Sequence, residues 1–274
     1  MALASRYWQE LTTKEFASLD AERVVAVLPV AAVEQHGPHL PITTDALINA
    51  GILERALVLA PSDLPILVLP AQAVGKSDEH MAFAGTLTLS AATLTAALAE
   101  LGQSVHRAGV RRLVLFNSHG GQPQVLEIVA RDLRIRSDML ATTCSWWRLG
   151  LPDGLFTDEE RAYGIHAGGI ETSMVMHLRP DLVREGERAD FRSLGHRMAP
   201  DFRRLGPTGP DAGFGWQAQD LHPAGAAGNA LDADAERGRA LVEHAARRLV
   251  ELLEEVARFP LDALAQAPEF PAKA

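Results

Sequence analysis

The sequence predicts an α/β sandwich in which helices cover a parallel sheet, and three observations lead there. Continuous apolar, β-branched runs such as VVAVLPV and LVLF have the character of strands buried on both faces. These runs alternate with segments whose apolar residues recur at helical spacing, the pattern of βαβ units. Acidic and imidazole side chains gather just after the strands, where open α/β sheets carry their sites.

Taken in order, residues 6–19 read as a short amphipathic helix, with Thr12 or Thr13 as cap before KEFASL. Residues 24–30 form the first strand, and residues 45–59 a helix that Pro61 and Pro65 punctuate. A second short strand follows over 66–69. The mixed segment AVGKSDEHMAFAGTLTLS is expected to be loop rather than core. Ser90 or Thr93 opens a helix that runs to about Arg107 and stops at Gly109. The third strand spans 112–116, residues 124–136 are helical, and residues 140–145 are a further strand ending at Trp146 and Trp147.

Residues 153–164 read as polar loop with a helical turn, and 168–178 as a helix stopped by Arg179-Pro180-Asp181. The stretch 185–230 is rich in Gly, Pro and Arg, with little periodicity, and reads as an irregular excursion or a subunit-contact segment. A long helix over 232–259 closes the fold. With no internal repeat and no linker, residues 1–274 are expected to form one domain, of which 260–274 is a loosely held tail.

Composition narrows the function. An apolar fraction of 47% over 274 residues suits a globular protein with a sizeable core. A net charge of −9 argues against a nucleic-acid surface and against an anionic membrane. Cys144 is the sole cysteine, which excludes an intrachain disulfide and a thiolate metal cluster. No apolar signal core and no transmembrane-length stretch occurs, so a cytoplasmic protein is expected.

The chemistry concentrates in three clusters. The first strand runs into Glu34-Gln35-His36-Gly37, and Asp45 follows nine residues after His36. Residues i and i+2 of an extended segment share a side, so Glu34 and His36 can aim into one space, and Asp45 can return a third group to it. Oxygen and nitrogen donors in this mixture suit zinc, manganese or iron. His119 lies two residues past the third strand in SHGGQPQ, which lacks the glycine spacing of a dinucleotide fingerprint. His166 precedes a helix whose first turns carry Glu171. Each cluster alone has an ordinary alternative: solvated strand ends for Glu34 and His36, a structural role for His119, and helix electrostatics for Glu171.

Together the motifs EQHGPHLPITTD, NSHGGQ and HAGGIETS, in this order and spacing, resemble the creatininase (creatinine amidohydrolase) family of metal-dependent amidohydrolases. FAGTLTLS and GWQAQDLHPAGAAGN fit as well, so the resemblance spans about Trp8 to Leu253. It implies a three-layer α/β/α sandwich and two divalent metal ions per chain, zinc first, with manganese or iron as alternatives. The matched ligands are Glu34, His36, Asp45 and His119, with Asp45 bridging, Glu34 and His119 on one metal and His36 on the other. Creatininase itself has a glutamate two residues after the matching histidine, where this chain has Gly121. Members with the HGG form point instead to Glu171 as the remaining ligand. His166 matches a histidine used as a proton shuttle.

Ser77 and His80, in a loop resembling a substrate-contacting segment, and Trp147, after a strand, are the expected substrate-binding residues. His39 is expected to be exposed, and Cys144 to be a small buried hydrophobe. The implied activity is hydrolysis of a non-peptide or cyclic C–N amide, with processing of a cofactor-precursor peptide as the alternative reading. A noncatalytic binding protein on the same fold is the rival from another class. A homo-oligomer, as large as a hexamer, is implied by the family alone.

Overall fold

A computed structural model describes residues 3–209, 211–264 and 267–269. Four strands form one sheet: β1 (Val25–Val30), β2 (Ile66–Val68), β3 (Arg112–Asn117) and β4 (Leu140–Ser145). Their order is β2-β1-β3-β4, and every pairing is parallel. Val30 pairs with Asn117 and Asn117 with Ser145, so three strands end level at one edge of the sheet.

Side chains of successive strand residues go to opposite faces, and each face has its own core. Val25, Val27, Val114 and Phe116 pack on α2 (Thr44–Leu59), α6 (Gly169–Leu178) and α9 (Ala235–Arg258). Ala26, Leu28, Leu113 and Leu115 pack on α3 (Ala91–Arg107) and α4 (Pro123–Ser137). The result is the three-layer α/β/α sandwich that the motifs imply. All six residues of β1 are buried, which accounts for the unbroken apolar run in its sequence.

Two features fix the helices that matter for function. Asn49 on α2 donates from Nδ2 to the carbonyls of Phe116 (3.0 Å) and Val30 (3.3 Å), pinning that helix to the ends of β1 and β3. Gly238 lets α9 approach the backbone of α6, since a Cβ there would fall 1.9 Å from the Ser173 carbonyl oxygen.

The structure departs from the expected elements at four places. Residues 6–19 are not one helix. A 3-10 turn at Trp8–Glu10 precedes α1 (Thr13–Ala17), because Thr12 starts a fresh helix with a capping box: its hydroxyl accepts from Glu15 N (3.3 Å) and its N–H donates to the Glu15 carboxylate (2.7 Å). Within 153–164 a helix, α5 (Asp158–Tyr163), forms under the Thr157 cap. The AVGKSDEHMAFAGTLTLS segment is loop with a 3-10 turn at Asp78–His80, but its Ser77 and His80 are buried.

The fourth departure is 185–230, which carries short elements: β5 (Asp190–Phe191), α7 (Leu194–Met198), β6 (Leu205–Gly206), β7 (Ala212–Gly213), α8 (Ala218–Leu221) and β8 (Gly228–Asn229). Its residues Phe191, Leu221, Ala226 and Ala227 are buried, so it is folded cover rather than a free excursion. Leu261–Leu264 of the expected tail form a 3-10 turn; residues 265, 266 and 270–274 lie outside the described residues. Among the described residues no helix is long and apolar enough to cross a membrane.

Candidate metal centre

Two chain segments leave the level edge of the sheet and converge with a third that leads into α6. After β1 the chain stays extended through Glu34, whose N–H donates to the Ile42 carbonyl (2.9 Å). Gly37 then adopts φ +65°, a conformation that suits glycine, and a bridge between His36 and Leu40 closes the reversal. The chain re-enters α2 at Thr44, which places Asp45 in the first helical turn. After β3, Asn117 clamps the loop of His119 by accepting from its N–H (3.1 Å) and donating to its carbonyl (2.8 Å). Asn117 therefore orients the backbone of His119 rather than its ring.

The third segment precedes α6. Ala167 sits in the left-handed region at φ 53°, which costs a non-glycine residue on the order of 1 kcal/mol. That strain is held because the Ala167 N–H donates to Glu171 at 2.6 Å. Glu160, from α5, accepts from Asn229 N (2.9 Å) and Ile170 N (3.4 Å), and so ties this loop to β8.

The resulting cluster is buried. Glu34, His36, Asp45, His119 and His166 are each at most 7% exposed. His36 Nε2 lies 3.6 Å from Asp45 and 3.8 Å from Glu171. His119 Nδ1 lies 3.2 Å from Glu34 and 3.6 Å from Asp45. Donor atoms of Glu34, Asp45 and His119 fall within 4.8 Å of one another, as do those of His36, Asp45 and Glu171. Asp45 is common to both groups. A further group of this kind joins Glu34, His36 and His166.

Hydrogen bonds behind the rings define which nitrogen faces inward. His36 Nδ1 donates to the Glu34 carbonyl (3.0 Å), leaving Nε2 as a lone pair toward the carboxylates. His119 Nε2 donates to the Lys76 carbonyl (2.7 Å), which turns its Nδ1 inward. His166 Nε2 donates to the Gln35 carbonyl (2.7 Å), leaving Nδ1 as its free acceptor.

The electrostatics report too many buried carboxylates for the cations present. Burial opposes ionisation of Glu34, yet His119, His80 and His166 hold its carboxyl well below the usual range. Burial and the neighbouring Glu34 push Asp45 up, and burial with Asp45 pushes Glu171 to about 7. Against the penalty of burial, Asp45, Glu171 and Glu34 raise His36 to about 9, and Glu34, Glu79 and Asp45 raise His119 well above its ordinary value. Such a cluster gathers positive charge, and a divalent cation satisfies it at less cost than protons on its ligands. Glu34 Oε2, His36 Nε2 and Asp45 Oδ2 are buried with no hydrogen-bond partner. All three are donor atoms of the kind that hold zinc, manganese or iron, so the residues present fit a metal.

A cavity of about 1120 Å³ opens onto the cluster, which contributes Glu34, Asp45, His119, His166 and Glu171 to its wall. His80 and Trp147 also line it. Ser77, expected at the substrate, is fully buried behind His119, its hydroxyl 3.4 Å from Nε2, and is not part of the cavity wall. His39, expected to be exposed, is buried: the turn at Gly37 folds it under the loop, where its Nε2 meets Thr172 Oγ1 at 2.9 Å. Cys144 is buried, and burial pushes its thiol up to about 12.

Sequence reasoning missed Gln35, because strict alternation assigns it to the face opposite Glu34 and His36. In the structure it is buried among His80, His166 and Gly225. It missed Glu160 and Trp216 as well; one is the last of three successive acids in a polar segment and the other lies in the irregular stretch. Trp216 lines the cavity and meets the His80 ring edge-on, centroids 6.4 Å apart.

A parallel α/β/α sandwich with a buried carboxylate–imidazole cluster at the strand ends and a cleft above it is the architecture of a hydrolase whose site can bind metal. The chain belongs to the creatininase family: the family model, described as creatinine amidohydrolase, matches residues 9–253. It is 35% identical over 204 residues to the mycofactocin precursor peptide peptidase of Mycobacterium tuberculosis (strain ATCC 25618 / H37Rv), covering 72% of this chain and 76% of that protein. It is 31% identical over 191 residues to the creatinine amidohydrolase of Pseudomonas putida, covering 64% of this chain and 72% of that one. A solved structure of creatininase with manganese superposes with a TM-score of 0.73 at 26% identity, covering 92% of this chain and 98% of that one.

Proposed function

We propose that this chain is a dinuclear-metal amidohydrolase. Glu34, Asp45 and His119 would hold one divalent ion, and His36, Asp45 and Glu171 the other, with Asp45 shared. The observation that carries this reading is the set of orphaned buried donors, Glu34 Oε2, His36 Nε2 and Asp45 Oδ2, which one pair of cations would satisfy together. Zinc fits the donor set, with manganese or iron as alternatives.

When bound, such ions make water a usable nucleophile near neutral pH and polarise an amide carbonyl. The chain's own residues supply the rest. Burial, with His36 and His80 nearby, keeps the His166 imidazole well below its ordinary pKa, so it is neutral and able to accept a proton at pH 7. Its free Nδ1 faces the Glu34 side of the cluster, 3.8 Å from Oε1. From there it takes a proton from the attacking water and returns it to the departing nitrogen. Gln35 fixes the ring by accepting from its Nε2 through the backbone carbonyl.

Two substrate readings follow. A small cyclic amide or formamide, the class placed first by the sequence, is in keeping with the Pseudomonas putida relative. A peptide amide is favoured by the relatives named as peptide peptidases and by the cleft, whose volume of about 1120 Å³ exceeds what a single small ring fills. A hydrolysis screen of the metal-loaded protein against creatinine, hydantoin-like rings, formamides and short peptides separates them. Two metal equivalents and cleavage of the peptides are expected. Less than one bound ion per chain after metal supplementation would sink the dinuclear reading.

A further inference from the structure

The outer side of His119 is held by one short stretch. Lys76 accepts from Nε2 through its carbonyl at 2.7 Å, and the Ser77 hydroxyl lies 3.4 Å from the same nitrogen. Glu79, in the 3-10 turn Asp78–His80, brings one carboxylate oxygen to 3.5 Å from Nε2, while its other oxygen accepts from Lys76 Nζ at 3.2 Å. At these distances the Lys76 carbonyl makes the hydrogen bond and Glu79 adds a charge behind the ring. The Glu79 side chain is 13% exposed, so that charge acts in a poorly solvated place.

Gly121 makes this arrangement possible. A Cβ at position 121 would fall 1.8 Å from Glu79 Oε1, 2.9 Å from Glu79 Cδ and 2.5 Å from His119 Nε2. No rotation of a side chain at 121 avoids that overlap, since the Cβ position is set by the backbone. Glu79, the flexible partner, would have to swing out from behind the imidazole, and the ring would have to give way as well. By contrast, nothing lies within 4 Å of a Cβ built at the neighbouring Gly120. The two glycines of the SHGGQ loop therefore differ: one faces open space and the other faces the Glu79 carboxylate.

We infer that Glu79 is a positioning residue for His119, holding the ring with its Nδ1 inward, and that Gly121 is the vacancy that admits the Glu79 carboxylate. The inference rests on the reading of His119 as a metal ligand. A carboxylate behind a ligating imidazole fixes its rotation and strengthens its inner nitrogen as a donor. Glu79 reaches its place behind the ring only if position 121 has no side chain; a Cβ there would press on Glu79 Oε1 and on His119 Nε2 alike.

The test uses the full chain and Glu79→Ala, Gly121→Ala and the double variant, with circular dichroism as the check on folding. Cobalt(II) binding is followed by calorimetry and by the visible ligand-field spectrum. Each single variant is expected to weaken one cobalt equivalent about 10- to 100-fold and to shift its spectrum, leaving the other equivalent in place. The double variant is expected to cost no more than Gly121→Ala alone, because that substitution already displaces the carboxylate. Wild-type affinity and spectrum in both single variants, or losses that simply add in the double variant, would overturn the proposal. A crystal structure of metal-free Glu79→Ala supplies a readout that needs no metal and adds no atom near the ring. A His119 ring rotated or disordered in that variant supports the positioning role even if the wild-type chain binds no cobalt and the metal reading fails. An unmoved His119 ring overturns it.

Discussion

Gln35 and His80, 45 residues apart, are joined by a 2.7 Å hydrogen bond from the Gln35 amide to His80 Nδ1. The same amide nitrogen donates to the Gly225 carbonyl at 2.8 Å. With both hydrogens used, His80 presents its Nε2–H toward Glu34 Oε1, 3.5 Å away. A side chain between two candidate ligands thus sets the tautomer of a cavity-lining histidine. Gln35→Leu keeps the volume and removes the donors. It is expected to lower kcat about 10- to 100-fold while metal content stays at the wild-type level, as loss of an orienting partner does. Steady-state kinetics with elemental analysis of the same samples checks this; a matched loss of metal would show that Gln35 acts on the ligands instead.

Glu171 is the distinctive ligand of this proposal. Glu171→Gln is expected to lose about half of the bound metal and most activity, whereas Asp45→Asn, which touches both groups, is expected to lose nearly all of it. Inductively coupled plasma analysis of dialysed protein decides. Unchanged metal in Glu171→Gln would move the ligand elsewhere.

His166→Ala should leave the fold and the metal content intact and reduce turnover on the order of 10²–10⁴-fold. Its low pKa adds a direction: the neutral ring is the working form, so activity is retained into mildly acid solution and falls as His166 gains a proton. A pH–rate profile whose acid limb is unaltered by the substitution would remove His166 from the mechanism.

His39 predicts how stability varies with pH. Burial first, then the nearby His36 and Arg188, lowers its pKa from 6.5 to about 4 in the folded chain. Between those values the unfolded chain binds the proton and the folded chain does not, so acid favours unfolding. The contribution is fully present above pH 6.5 and is lost as pH falls through about 4. Urea unfolding of wild type and His39→Gln across that window should show a shallower acid loss in the variant. Parallel curves would assign the acid sensitivity to other groups.

The layers of the fold were legible because burial on both faces leaves an unmistakable apolar run: β1 and β3, buried at every position, agree with expectation within one residue. Helix starts at Ser90 and Thr157 depend on side-chain caps; the first was readable and the second was hidden in a polar stretch. Residues 185–230 stayed opaque for another reason. Their short elements are held by contacts to the rest of the chain, as in the antiparallel β5–β8 pair, and such pairing leaves no local period. At the site, Glu34, His36, Asp45, His119 and Glu171 stood out as donor types at strand ends. Gln35, Glu79 and Glu160 did not, because their part is decided by what stands behind a ring or beneath a loop.

The close passage of α9 over α6 at Gly238 has a consequence for biosynthesis. Every residue of the cluster has been synthesised by Glu171, yet the helix carrying Glu171 rests on a helix that begins at Ala235. A nascent chain that has reached only residue 230 holds all its donor atoms and lacks the brace that keeps α6 in place. The proposed centre is therefore expected to mature only once the last long helix is made, and a nonsense mutation shortly before residue 235 should yield a chain that holds every donor residue and is unable to retain metal.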